Sequence, residues 1–377
     1  MIQEIAEWLA AEGETVQVVT VRPNYPGTEV FEGYRHGEHD AGLENGVNVR
    51  RLPTIPLRGA GLMARLGPES RFFFDLMVRG ILGDIRPADR LISLCPSTLT
   101  PLGALMLVRR GGRHTVIVHD IQSGLGAALG SSGLKVIMPI LRWLEAFTLN
   151  RADQVVVLSD EMKAALEQLG VRRPISVLPP SIDTRRIVPE SRPVGAPPTL
   201  LYSGNLGRKQ GLEQLLDMAE KLGGCAPDVR VVIRGDGAMR ENLVEDARRR
   251  ALANIAFQPL APKSALSRTL AEGDVHLVPQ VASGGDFAVP SKVFAIMAAA
   301  RPFVATAEPD SALDRLASAS GACVCVPPGQ PTRFADAALG LLADKDRRRT
   351  MGERGRAFVM READTDVVMR KLLPLLG

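Results

Sequence analysis

Short apolar runs alternate with stretches of helical periodicity along nearly the whole chain. Runs rich in Val, Ile and Leu and bounded by turn residues read as buried strands. In the first half these are Thr15–Val21, Arg90–Cys95, Thr115–Ile121, Gln154–Ser159 and Ile175–Pro179. In the second half they are Thr199–Ser203, Val229–Arg234, Ile255–Pro259, Val275–Pro279, Pro302–Thr306 and Cys323–Val326. Between them lie amphipathic helices: Leu212, Leu215, Leu216, Ala219 and Leu222 form one stripe, and Met162 to Leu169 carries another. Strand and helix repeated in this order predict an α/β fold of doubly wound parallel sheets covered by helices on both faces.

The stretch Pro189–Pro198 holds Pro189, Pro193, Gly195, Pro197 and Pro198 without apolar periodicity, and reads as a linker. The expected organisation is a Rossmann-like domain over 1–188, the linker 189–198, a second Rossmann-like domain over 199–357, and a C-terminal helix over 358–377 packing back on the first. Ligands of such sheets bind beyond the carboxyl ends of the strands, so the expectation is of two domains facing a cleft. The chain opens on a helical pattern, Ile2, Ile5, Ala6 and Leu9, where a doubly wound domain starts with a central strand and a glycine-rich turn. The first domain is therefore expected to lack its usual first strand, with about twenty upstream residues belonging to the working protein.

The chain has 377 residues, of which 45% are hydrophobic and 23% charged, which is enough apolar mass for two cores. Aromatics make up only 4%, which argues against stacking platforms for single-stranded nucleic acid. The net charge of +4 comes from scattered basic residues such as Arg248, Arg249 and Arg250. They read as a solvated helix face or as attraction toward anionic lipid or phosphate-bearing substrates. Among the four cysteines, Cys95, Cys225, Cys323 and Cys325, no pair has metal-site spacing; Cys323 and Cys325 share one face of a strand. Buried free thiols in a reducing cytoplasm is the reading that follows. No apolar run approaches the roughly 20 residues that span a bilayer, and the N-terminus has no signal-peptide pattern.

Three strand-to-helix junctions of the second half carry candidate chemistry. Gly204-Asn205-Leu206-Gly207-Arg208-Lys209 lets backbone approach a phosphate, with Arg208 and Lys209 as cations; the alternative is a plain turn with solvated basic residues. Gly235-Asp236-Gly237 follows a strand directly, but lacks the third glycine and the acidic residue of a dinucleotide fingerprint. Pro290-Ser291-Lys292 opens a helix expected over Val293–Ala300, either as an anion site or as a well-capped core helix. Asp-x-Asp occurs at Asp344–Asp346 and Asp364–Asp366, in helical stretches where surface charge is the better account.

These three junctions, with Met297-Ala298-Ala299-Ala300-Arg301-Pro302 after the third, resemble glycosyltransferase family 4 of the GT-B fold, in its colanic-acid and exopolysaccharide type. Val118-His119-Asp120, Ser159 with Met162, Pro180-Ser181-Ile182-Asp183, Leu9-Ala10-Ala11 and Tyr25-Pro26 extend the resemblance over nearly the whole chain. It implies a retaining hexosyltransferase that moves a sugar from a UDP- or GDP-sugar to a saccharide, often lipid-linked, acceptor without a metal or other cofactor. Gly204, Asn205, Arg208, Lys209, Pro290, Ser291 and Lys292 would hold the diphosphate, and Gly235, Gly237, Phe257 and Leu260 the nucleoside. His119 and Asp120 would be catalytic, His119 facing the transferred sugar.

The chain departs from the pattern at Phe287 and Ala295, where many relatives carry glutamates, with Asp286 one position off the first. It also has Asn205 in place of an arginine. These departures motivate a second reading, a catalytically impaired nucleotide-binding scaffold; a nucleotide-sugar epimerase of similar architecture is a third. The resemblance further implies a cytoplasmic enzyme that touches the inner membrane face. Leu134–Leu149 and Arg71-Phe72-Phe73-Phe74 are the interfacial candidates, with core helices as the alternative.

Overall fold

The computed structural model describes residues 2–24, 29–53, 62–95, 98–121, 134–207, 210–281 and 289–377. The chain forms two compact units, Met1–Pro179 with Val368–Gly377, and Pro180–Val367. The proline-rich stretch 189–198 thus belongs to the second unit.

In the first unit β1 (Gln17–Val21), β2 (Ala41–Glu44) and β3 (Val47–Leu52) make one sheet, ordered β1-β3-β2. β4 (Ala88–Cys95), β5 (Val108–Val118), β6 (Gln154–Val157) and β7 (Ile175–Val177) make a second, wholly parallel sheet. Among the described residues no ladder joins β1 to β4, so the described strands of this unit fall into two sheets. The sheets nonetheless share packing: Val19 of β1 and Leu91 of β4 lean on the cluster Leu52, Leu76, Ile85 and Leu107.

The hairpin β2–β3 is a finding that apolar periodicity does not give. All of β2 is exposed and β3 carries Asn48, Arg50 and Arg51, so neither forms an apolar run. Its two-residue turn is Asn45-Gly46, both at positive φ (49° and 81°), a combination that suits tight hairpins and was readable in the sequence.

Helices cover the sheets by ordinary local signals. Ser159 Oγ accepts the Met162 N–H at 3.2 Å to start helix Asp160–Leu169, and Gly170 ends it at φ 97°. Helix Ile2–Ala11 and the C-terminal helix Thr365–Leu376 pack on the four-stranded sheet, where Ile5, Val368, Met369, Leu372 and Leu376 cluster with Ile117, Val156 and Leu178. Helix Leu62–Ile81 differs: it turns Phe73 and Leu76 toward Gly103 but leaves Phe74, Val78 and Ile81 exposed on its other side.

The second unit holds β8 (Thr199–Ser203), β9 (Arg230–Arg234), β10 (Ile255–Gln258), β11 (Val275–Val278), β12 (Phe303–Thr306) and β13 (Cys323–Val326). All six are parallel, ordered β10-β9-β8-β11-β12-β13. Strands are apolar on both faces because helices cover both: Leu215, Leu216, Ala219 and Leu222 of helix Glu213–Cys225 pack on one side, and Val293, Phe294 and Met297 on the other. Cys323 and Cys325 lie with their sulfurs 3.7 Å apart on the edge strand β13, half-buried and unbridged; Cys225 is exposed. The Asp-x-Asp pairs have structural duties: Asp344 caps helix Lys345–Glu362 through the Arg347 N–H at 2.8 Å, and Asp364 accepts the Thr184 hydroxyl at 2.5 Å.

Candidate functional site

The strand order of the second unit reverses between β8 and β11: from β8 the chain builds outward to β9 and β10, and from β11 to β12 and β13. A crevice forms at such a reversal, beyond the carboxyl ends of the two central strands. Gly204 leaves β8 there, and Lys292 opens the helix that follows β11, Lys292–Ala298.

The loop after β8 is fixed by backbone contacts. The Gly204 N–H donates to Arg234 O at 2.9 Å, the Leu206 N–H to Asp236 O at 2.8 Å, and the Met239 N–H to Leu206 O at 2.9 Å. Leu206 is fully buried and anchors the loop in the core. The turn after β9 is pressed against this loop so closely that only glycine fits. A Cβ on Gly235 would lie 2.0 Å from Gly204 O, and one on Gly237 2.6 Å from Asn205 Oδ1, with φ there at 146°. Gly204, Asn205, Gly235 and Gly237 are thus one packed backbone surface.

Lys292 sits against it. Its Nζ would be 2.9 Å from a Cβ on Gly204 and lies 3.8 Å from the centroid of the Tyr202 ring. The ammonium nitrogen is buried and makes no hydrogen bond to any described residue. Burial therefore pushes its pKa down to about 7, because removal from water penalises the charged form. Such a cation is poised for an anionic ligand, which would supply the missing hydrogen bonds and restore the charged form.

Tyr202 is a residue that the sequence pattern does not single out. It is fully buried one position before the end of β8, and its hydroxyl donates to Asn205 O at 2.6 Å. An aromatic just before a glycine loop was the only signal, and it does not reveal the lysine above the ring.

The remaining predicted residues are placed as follows. Arg208 and Lys209 lie outside the described residues, as do Asp286 and Phe287. Ser291 takes helical angles and its hydroxyl caps nothing, so the helix starts at Lys292 rather than Val293. Pro290 O accepts the Val293 N–H at 3.1 Å. Phe257 packs against the core beside β9, whereas Leu260 is exposed. Ala295 is packed among apolar side chains and offers no polar group where relatives are expected to carry a glutamate. Arg234, just before Gly235, is consumed by structure: it pairs with Glu272 at 2.6 Å and donates to Thr269 O at 3.1 Å.

In the first unit His119 follows β5 directly, and its N–H donates to Cys95 O at 3.1 Å. Its Nε2 is buried without a partner among the described residues, and burial lowers its pKa to about 4. The ring is neutral at neutral pH, suited to hydrogen bonding rather than to carrying a proton. Asp120 beside it is exposed. Among the described residues no three His, Cys, Asp or Glu side chains come together as a metal-binding group.

The Glycosyl transferase 4-like domain family matches residues 1–181, and Glycosyl transferases group 1 matches residues 197–344. A glycosyl transferase assigned to colanic acid biosynthesis, WcaI of Escherichia coli (strain K12), is 31% identical over 353 residues, covering 86% of this chain and 83% of its own. The chain belongs to glycosyltransferase family 4. Solved structures agree on a GT-B fold for this glycosyltransferase. Sucrose-phosphate synthase from Thermosynechococcus elongatus superposes with TM-score 0.79 at 18% identity, covering 99% of this chain and 91% of that one. Anabaena Alr3699/HepE in complex with UDP-glucose gives TM-score 0.66 at 14% identity, covering 88% and 86%.

Proposed function

We propose that this glycosyltransferase takes its sugar from a UDP- or GDP-sugar, seats the diphosphate between Lys292 and the Gly204–Gly207 loop, and retains anomeric configuration without a metal. The single observation that carries this reading is the buried Lys292 ammonium, without a hydrogen-bond partner among the described residues, beside glycine backbone at the strand-order reversal. A developing diphosphate charge would be stabilised there by a preorganised cation, the kind of electrostatic help that contributes most to such reactions. The nucleoside would extend along the ends of β9 and β10, past Gly235 and Gly237 toward Phe257 and Leu260. Arg208 and Lys209, next in the loop by sequence, would add positive charge. The leaving phosphate would help deprotonate the acceptor hydroxyl, and neutral His119 would hydrogen-bond the transferred sugar. Support comes also from a relative assigned to colanic acid biosynthesis and from a fold neighbour solved with UDP-glucose.

The acceptor in this proposal is a lipid-linked saccharide met at a membrane surface. No described helix is long and apolar enough to cross a membrane. Two helices instead expose apolar side chains: Phe74, Val78 and Ile81 on one, Ile140 and Trp143 on the other.

Thermal-shift titration with UDP, GDP and their sugars tests the donor site. A ligand at 100 times its Kd should stabilise by about 2.7 kcal/mol. Lys292→Ala should lose at least about tenfold in affinity, and transfer should survive EDTA. Equal affinity of Lys292→Ala and wild type would remove the diphosphate assignment, and EDTA inactivation reversed by manganese would remove the metal-free mechanism. Binding without turnover against any acceptor would favour the scaffold reading.

A further inference from the structure

Lys292 does not hold its place by hydrogen bonds to described residues, yet its ammonium is neither free nor solvated. What lies under it is the ring of Tyr202, 3.8 Å from Nζ to the centroid. The same side chain reaches the glycine loop with its other end, the hydroxyl donating to Asn205 O at 2.6 Å. Burial raises the phenol pKa, so this hydroxyl keeps its proton and remains a donor. One rigid side chain therefore touches both halves of the anion site: the backbone that approaches the ligand and the cation that meets it.

We propose that Tyr202 is the positioning residue of the donor site, its ring holding the Lys292 ammonium toward the crevice and its hydroxyl fixing the carbonyl side of the glycine loop. This rests on the diphosphate reading above. The ring face carries negative electrostatic potential and favours a cation, most strongly where water is excluded. It supports the protonated form of Lys292 against the desolvation that opposes it, so that the ammonium is charged when a diphosphate arrives. The hydroxyl acts separately. Its bond to Asn205 O ties the glycine loop to β8, which fixes the loop backbone beside Lys292.

Lys292 faces Tyr202 from β8 and the Gly204 backbone; among the described residues no charged side chain contributes to its lowered pKa, which desolvation causes. Arg208, Lys209 and Asp286 are the charged residues of the neighbouring loops that lie outside the description.

The two roles separate in two variants, measured by the Kd for whichever of UDP and GDP the wild type binds, across pH 6 to 9. Tyr202→Leu removes the ring: affinity at pH 7 should fall about tenfold, the midpoint of the pH dependence should move to lower pH, and acidification should recover much of the loss. Tyr202→Phe keeps the ring and removes the hydroxyl: the midpoint should stay at the wild-type position while Kd rises a few-fold at every pH. If Tyr202→Leu proves too unstable, Tyr202→Phe with Lys292→Arg, whose cation does not titrate in this range, completes the comparison. That double variant should lose the pH midpoint but keep the few-fold Tyr202→Phe effect. A Tyr202→Leu protein with wild-type affinity and midpoint overturns the ring's role, and an unchanged Tyr202→Phe overturns the hydroxyl's. Failure of the underlying reading looks different: wild type would bind neither nucleotide, or Lys292→Ala would bind as well as wild type.

Discussion

Lys292 has a stability signature as well as a binding one. Its folded-state pKa, about 7, lies below the ordinary lysine value of 10.5. Between these two values the unfolded chain binds a proton that the folded chain does not, so folding stability rises with pH across that window, by up to roughly 1.4 kcal/mol per pH unit. Below pH 7 the folded protein carries the full desolvation cost. Lys292→Met should therefore melt at higher temperature than wild type at pH 6, and the gain should shrink steadily toward pH 10. Calorimetry in the absence of nucleotide checks this; a gain independent of pH would mean that Lys292 is solvated. Nucleotide should reverse the sign of the comparison, because it stabilises only the protein that keeps the cation.

At the scale of elements, most of the fold was legible because it is set by local pattern. All eleven apolar runs became strands, shifted at their ends by a few residues; β5 shifted most, starting at Val108 and ending at Val118, so that His119 is the first residue beyond it. The missed hairpin β2–β3 has a physical reason: with β2 wholly exposed, its alternation carries no hydrophobic signal, and only Asn45-Gly46 betrays it. Helix Leu62–Ile81 shows the converse. Its apolar residues exceed what one core-facing stripe needs, and Phe74, Val78 and Ile81, at i, i+4 and i+7, are left 58%, 52% and 68% exposed. If this stripe meets lipid, Val78→Asn with Ile81→Asn should reduce co-sedimentation with phosphatidylglycerol vesicles at least about tenfold. Equal sedimentation of variant and wild type would discard the stripe as a membrane contact.

On the whole-molecule scale the chain returns to where it began. Val368–Gly377 belongs with the first unit although 188 residues of the second, 180–367, intervene. The tie is apolar, through Val368, Met369, Leu372 and Leu376, and polar, with the Thr115 hydroxyl donating to Leu375 O at 3.1 Å. Truncation after Val367 would bare Ile5, Ile117, Val156 and Leu178, and burial of such side chains is worth about 1.5–3 kcal/mol each. Hydrogen exchange should then show lost protection in β5 and β6 with β8 to β11 still protected. Undiminished protection in β5 would show that the helix adds little to this core.

The sequence by itself determined the alternation of strand and helix, the glycines at 204, 235 and 237, and the lysine at 292, because periodicity and turn chemistry act between near neighbours. It did not determine that these four meet, since residues 204 and 292 are brought together only by the reversal of strand order between β8 and β11. Nor did it determine that Lys292 would be dry and Arg234 already engaged by Glu272. Whether a charge keeps its water and its freedom depends on which elements close around it, and that is a property of packing in three dimensions, which spacing along the chain does not carry.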